Sequence, residues 1–311
     1  MSADDKVRVI AFPGAPNLPT FAAIEHGDFA AEGLEIELSL TPNSVFQAER
    51  TAAGDFDIIF TAFDNVVAYS EGQGAAGPGV DPQYAVIMGA TQLELGFVVA
   101  PEIGSYADLK GRSLALDAPT TGFAFVLYEM LDRGGVDLSE ISIAAVGAAP
   151  QRWQSVKAGE HVGTISIEPF TSIASRNGFK VLELSTQMFE AYQGGVIATR
   201  RPFSAENPGL IRRFIRAYLK GLDWVLDPAN REDAERLLLS RMPEIQPQAA
   251  KAVMTSLLSP ESGLTPQGRI LPEGMKTVLQ LRSKFGRPPR QLNDVEKYLD
   301  LSHYQAVVDG N

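Results

Sequence analysis

The sequence predicts an α/β fold, in which a parallel sheet is covered by helices. Three observations carry that reading. Between residues 114 and 199 apolar strand patterns alternate strictly with helical ones. From residue 207 onward the pattern is almost entirely helical. The chain, at 311 residues, is also long enough for two domains with separate cores.

Taken in order, residues 7–12 alternate as a strand does, and the turn Pro13-Gly14-Ala15-Pro16 ends it. A short helix carrying Leu18, Phe21 and Ala22 follows and closes near Gly27. Leu34, Ile36, Leu38 and Leu40 alternate with polar residues and predict a second strand. Residues 56–61 read as a short buried strand, 65–71 as a helix, and the Gly- and Pro-rich 72–82 as a surface loop. Residues 84–90 and 96–100 are further strands, and 105–111 form a turn. A strand beginning at Leu114 then breaks at Pro119-Thr120-Thr121-Gly122. Phe123, Val126, Leu127, Met130 and Leu131 mark one face of the helix after it. Strands 142–146, 162–167 and 180–184 alternate with helices 152–158 and 170–177, and 194–199 is the last clear strand. In the tail, Asn207 is placed to cap a helix with Pro208 at its first position. Its apolar face runs from Leu210 through Ile211, Phe214, Ile215, Tyr218 and Leu219 to Leu222, and Pro228 stops it. Amphipathic segments near 232–240, 247–258 and 273–284 continue the run.

Composition excludes several functions. With 38 acidic and 27 basic residues the formal charge is −11, which disfavours nonspecific binding to nucleic acid or to an anionic membrane. There is no cysteine, so thiol catalysis, zinc–cysteine sites and disulfides are all ruled out. His26, His161 and His303 share no metal-ligand spacing, and no P-loop, nucleophile elbow or dinucleotide-binding glycine motif is present. We therefore expect no cofactor and no metal. No stretch approaches the ~18 apolar residues that span a bilayer. The start, Met-Ser-Ala-Asp-Asp-Lys, has no apolar core of a leader, as in a cytosolic protein or a mature exported one.

Five phrases appear in a characteristic order: "AAIEHGDFAAEGLEIEL" (22–38), "AAGDFDIIFTAFDNVVA" (52–68), "SYADLKGRSLALDAPTTGFAFVLYEMLDRGGVDLSEI" (105–141), "SVKAGEHVGTISIEPFTSIASRNGFKVL" (155–182) and "NPGLIRRFIRAYLKGLDWVLDPANRE" (207–232). Together they resemble the periplasmic solute-binding proteins of nitrate, sulfonate and taurine ABC importers, the group related to thiamine-pyrimidine (NMT1/THI5-like) proteins. The resemblance implies a type II periplasmic-binding-protein fold, two α/β lobes with a ligand cleft between them. Lobe 1 would comprise 1–99 and 199–311, lobe 2 would comprise 100–198, and crossover strands would lie at 96–100 and 194–199. It further implies a monomeric periplasmic receptor that hands a small organic ligand, bearing a carboxylate, sulfonate or similar group, to a membrane permease. The alternative is a cytosolic enzyme on the same fold, a pyrimidine-precursor synthase or dehydratase, with Asp64 and Glu168 as acid and base. A cytosolic ligand sensor is a third option, although no output domain is evident. Against the family pattern, we expect no leader at this start and a small insertion at 76–82 near the cleft-facing side of lobe 1. It also carries carboxylates beside the expected cleft.

Open α/β sheets bind ligands outside the carboxyl ends of their strands, which selects the candidate residues. Thr120, Thr121 and Gly122 stand where a strand meets a helix, so the hydroxyls and backbone N–H groups either hold an anion or cap the helix. Phe123 follows the apolar stripe and is expected in the core. Thr61, Phe63, Asp64 and Asn65 follow a buried strand, and Asp64 either accepts from ligand or caps the helix after it. Phe12 and Asn17 lie in the turn after the first strand, where Asn17 meets ligand or caps a helix. Glu168, Tyr192 and Gln193 precede or follow second-lobe elements at the same edge, with Gln92 and Glu94 as weaker candidates. Phe12, Phe63, Phe170 and Tyr192 suggest an aromatic-walled pocket with a few polar anchors. Trp153 and Trp224 read as packing residues.

Overall fold

The computed structural model describes residues 5–310. Ten strands form two five-stranded sheets. They are β1 (Asp5–Ala11), β2 (Leu34–Leu40), β3 (Ile58–Ala62), β4 (Tyr84–Thr91), β5 (Gly96–Val99), β6 (Ser113–Leu116), β7 (Ser142–Ala145), β8 (Gly163–Ser166), β9 (Lys180–Leu184) and β10 (Gly195–Arg200). The first sheet has the order β2-β1-β3-β10-β4 and the second β7-β6-β8-β5-β9.

Both sheets are mixed, which corrects the expectation of a parallel sheet. β10 runs antiparallel to β3 and β4, and β5 runs antiparallel to β8 and β9. The reason is topological. A strand arriving from the other sheet enters at the cleft edge and must run away from it, against the strands that end there. The chain crosses between the sheets after Thr91 and returns after Leu184. β5 thus belongs to the second sheet and β10 to the first.

Most helices fall where periodicity places them. The helix Pro208–Leu226 buries Ile211, Phe214, Ile215, Tyr218 and Leu222, and packs Phe214 and Tyr218 on Phe60 of the first sheet at ring distances of 6.4 and 5.7 Å. Asn207 is not its side-chain cap. Its amide donates backwards to the Phe203 carbonyl at 3.1 Å, because a further helix, Arg201–Glu206, precedes it directly. Four helices had no sequence expectation, Ser44–Ala52, Asp28–Ala31, Arg201–Glu206 and Ser302–Val308. The first carries a legible signal, since Asn43 accepts from the Phe46 N–H at 2.7 Å as an N-cap does.

The helix Pro272–Phe285 spans both lobes. It packs on the helix Phe63–Ser70 beside the first sheet and on the helix Gly122–Arg133 beside the second. Phe285 meets Phe125 and Tyr128 at 5.9 and 5.8 Å, and Lys284 bonds Glu129 and Asp132 at 2.7 Å each. Further hydrogen bonds close the cleft directly: Ala148 N–H to the Pro42 carbonyl at 2.9 Å, and Ala15 N–H to the Glu168 carbonyl at 3.2 Å.

Candidate functional site

The carboxyl ends of β1, β3 and β4 face those of β6 and β8, and the loops leaving them enclose a cavity between the sheets. Its space amounts to about 870 Å³ with the mouth included. Phe12, Phe60, Phe123, Leu93, Ile167 and Val196 supply an apolar wall. Asn17, Thr61, Asn65 and Thr91 from the first lobe, and Asp117, Thr121 and Arg152 from the second, supply the polar groups.

Of the twelve residues expected from sequence, six line this cavity: Phe12, Asn17, Thr61, Asn65, Thr121 and Gly122. The other six face elsewhere. Phe63 is fully buried, its ring against Tyr298 at 5.8 Å. Tyr192 is buried against Phe189 at 6.2 Å, and Phe170 lies in the second-lobe core. Gln193 is wholly buried and ties the loops together, donating to the Thr91 and Gly195 carbonyls and accepting from the Leu271 N–H at 2.7 Å. Thr120 offers its carbonyl to Arg282 at 2.9 Å. Glu168 accepts from the Ser172 hydroxyl at 2.8 Å and lies in an outer groove. Burial and the charge of Glu94 raise its pKa, although the Ser172 hydrogen bonds oppose this.

Asp64 is neither a ligand group facing the cavity nor a helix cap. Its carboxylate is 1% exposed and is gripped by Arg282 through Nε–Oδ1 at 2.6 Å and Nη2–Oδ2 at 2.5 Å. The guanidinium also donates to Gln73 and stacks over Phe125 at 4.7 Å. A fork-to-fork pair this well buried has its lone pairs occupied. Sequence reading missed it because the partners stand 218 residues apart. Asp64 and Glu168 therefore share no space in which to act as an acid–base pair. The 76–82 segment also lies away from the cleft, with the Ala76 N–H donating to the Tyr69 hydroxyl, and none of it lines the cavity.

At the second-lobe turn, Thr121 caps the helix and also stands at the edge of the cavity. It borders the cavity, and its hydroxyl donates to the Ala118 carbonyl at 3.1 Å and accepts from the Ala124 N–H at 3.5 Å. It is the N-cap of Gly122–Arg133. Thr121→Val should therefore lower the stability of the ligand-free protein by about 1 kcal/mol in urea denaturation, with Thr121→Ser close to wild type. Unchanged stability together with weakened binding would return the hydroxyl to the ligand.

Phe60, Phe123, Asp117 and Arg152 were not expected. Phe123 sits on the first turn of its helix, where a side chain overhangs the strand ends, and so it faces the cavity instead of packing wholly in the core. Arg152 is 3% exposed and donates to the Gly147 carbonyl at 2.7 Å, the Ile165 carbonyl at 3.1 Å and the Thr164 hydroxyl at 3.1 Å. Burial pulls its pKa down to about 10, while the charge of Asp117 pushes the other way. Asp117 meanwhile accepts from the Ser44 N–H at 3.1 Å, so a second-lobe carboxylate caps a first-lobe helix across the cleft. Arg152 follows Pro150-Gln151 at the start of a helical pattern, and nothing in the sequence ties it to Asp117.

Comparison with known proteins agrees with this architecture. Residues 16–231 match the family described as NMT1/THI5 like. The chain belongs to the NMT1/THI5-like family. Among curated relatives of this NMT1/THI5-like chain is the riboflavin-binding protein RibY of Chloroflexus aurantiacus, 25% identical over 244 residues, 76% of this chain and 67% of the relative. The nitrate-binding protein NrtA of Synechocystis PCC 6803 superposes with a TM-score of 0.80 at 12% identity, covering 99% of this chain and 89% of the other. The alkanesulfonate-binding protein SsuA of Xanthomonas axonopodis pv. citri, bound to MOPS, gives 0.72 at 14% identity, covering 92% and 93%. The fold of this NMT1/THI5-like protein is thus that of the periplasmic solute-binding proteins of ABC importers. No helix among the described residues is long and apolar enough to cross a membrane.

Proposed function

We propose that this protein is the solute-binding component of an ABC importer, capturing a small organic ligand between its lobes for delivery to a permease. The observation that carries the reading is the interlobe cavity, walled by aromatic and aliphatic side chains and fringed by polar groups from both lobes. That is the usual build of a small-molecule site. Hinged closure of two lobes on a ligand is the matching mechanism, and only differential affinity for the closed form drives it.

The composition of the wall narrows the ligand. Three phenylalanines suit a flat ring, because ring faces and edges pack favourably against one another. Arg152 and Asp117 are opposite charges on the same wall, leaving it with little net charge. This favours a neutral edge of hydrogen-bond donors and acceptors over the carboxylate or sulfonate that the Thr121-Gly122 turn alone suggested. A flavin ring has both properties, and the riboflavin-binding relative makes riboflavin the first compound to try.

The test is flavin fluorescence titration, alongside mass spectrometry of small molecules released from purified protein. Reversible saturable binding with the flavin recovered unchanged is expected. Conversion of the bound compound to a product would overturn the receptor reading. Binding of alkanesulfonates or nitrate in place of the flavin would overturn the ligand class.

A further inference from the structure

We infer that the aromatic cavity opens into a second compartment that holds the hydroxyl-rich tail of an elongated ligand, an inference resting on the ring-binding reading above. The connection is a neck. Pro16, Thr91 and Leu93 line both the main cavity and the neck. Glu94, Glu168, Ser256 and Ser262 line both the neck and an outer groove. The groove spans the lobes, since Glu168 and Ser172 come from the loop and helix after β8 while Ser256 and Ser262 come from the helix Pro247–Leu257 and the loop beyond it.

The chemistry changes along this path. The main cavity is chiefly apolar, whereas the groove is lined by Ser172, Thr255, Ser256, Ser259 and Ser262, of which Ser172 and Thr255 already donate to Glu168 and to the Lys251 carbonyl. Its charged groups balance, Glu94 and Glu168 against Arg176 and Lys251, so neither a cationic nor an anionic tail is favoured. Arg176 is in part occupied, donating to the Gln248 carbonyl at 2.7 Å. Glu94 accepts from the Thr186 and Ser256 hydroxyls only at 3.4 Å, leaving acceptor capacity free.

Ser262 is the most informative residue. It is 6% exposed and lines both neck and groove, and among the described residues no protein group hydrogen-bonds its hydroxyl, which keeps contact with the groove. A hydroxyl placed so is free both to donate to and to accept from a ligand. An apolar tail would leave it unpaired, whereas a polyol both donates and accepts along a row of serines and carboxylates.

Isothermal titration calorimetry with riboflavin and with lumiflavin, which carries the same ring with a methyl group for the tail, tests this. Riboflavin should bind about tenfold or more tighter than lumiflavin. Ser262→Ala and Glu168→Gln should each weaken riboflavin by about three- to tenfold and leave lumiflavin unchanged. Glu94→Gln, at a position less buried than Ser262, gives the same readout should either of those variants fold poorly. Equal affinity for the two flavins, or variants that weaken both alike, would overturn the tail compartment while the ring site stands. Failure of both flavins to bind would overturn the ring reading and this inference with it.

Discussion

Arg282→Met should destabilise the fold by about 3–5 kcal/mol, the usual loss when one partner of a buried ion pair is removed. Arg282 is fully buried, and its guanidinium is the bidentate partner of Asp64, itself 1% exposed. The methionine would fill the volume over Phe125 but leave the carboxylate in an apolar setting with no counter-charge. The same substitution frees the Thr120 carbonyl and Gln73. Urea denaturation checks the size of the loss. The double variant Arg282→Met, Asp64→Leu should recover much of it, because replacing both members of such a pair removes the uncompensated charge. A loss below about 1 kcal/mol would put the pair on a level with exposed salt bridges and sink the argument.

Gly122→Ala should weaken ligand binding by roughly 10- to 100-fold, corresponding to about 1–3 kcal/mol of overpacking confined to the closed form. A Cβ at this position would stand 2.4 Å from Asp64 Cβ and 2.5 Å from its Cγ. Asp64 cannot swing aside while Arg282 holds it. Gly122 opens a helix, so alanine suits its backbone, and the penalty is purely steric contact between lobes. The helices Phe63–Ser70 and Gly122–Arg133 must then move apart, opening the cleft. Small-angle scattering should show a larger radius for the variant with riboflavin present than for wild type. Wild-type affinity in the variant would show that this contact plays no part in the bound state.

Legibility in the sequence differed by level. Element order was largely readable, since burying one face imposes a period of 3.6 or 2 on the residues that do it. The face of Pro208–Leu226 is a case in point, from Ile211 to Leu222. The turn at 119–122 was likewise visible, because a strand ending in small polar residues before an apolar stripe leaves little choice. What periodicity does not carry is the direction of a strand inserted from another lobe. β5 and β10 look like any apolar strand, and only their topology makes them antiparallel.

The site was legible by location and only partly by residue. Loops at strand ends were the right place to look, and Phe12, Asn17, Thr61, Asn65, Thr121 and Gly122 were found there. Asp64, Phe63 and Gln193 occupy the same loops but turn into the protein. Phe60 was read as part of a buried strand and Arg152 as the start of a helix, yet both reach the cavity. Sequence by itself determined the order of elements, the faces they bury and the turns where a ligand can be met. Tertiary structure alone decided which polar groups stay free to meet it. A carboxylate is available only if no cation claims it, and the cation that claims Asp64 arrives from 218 residues away.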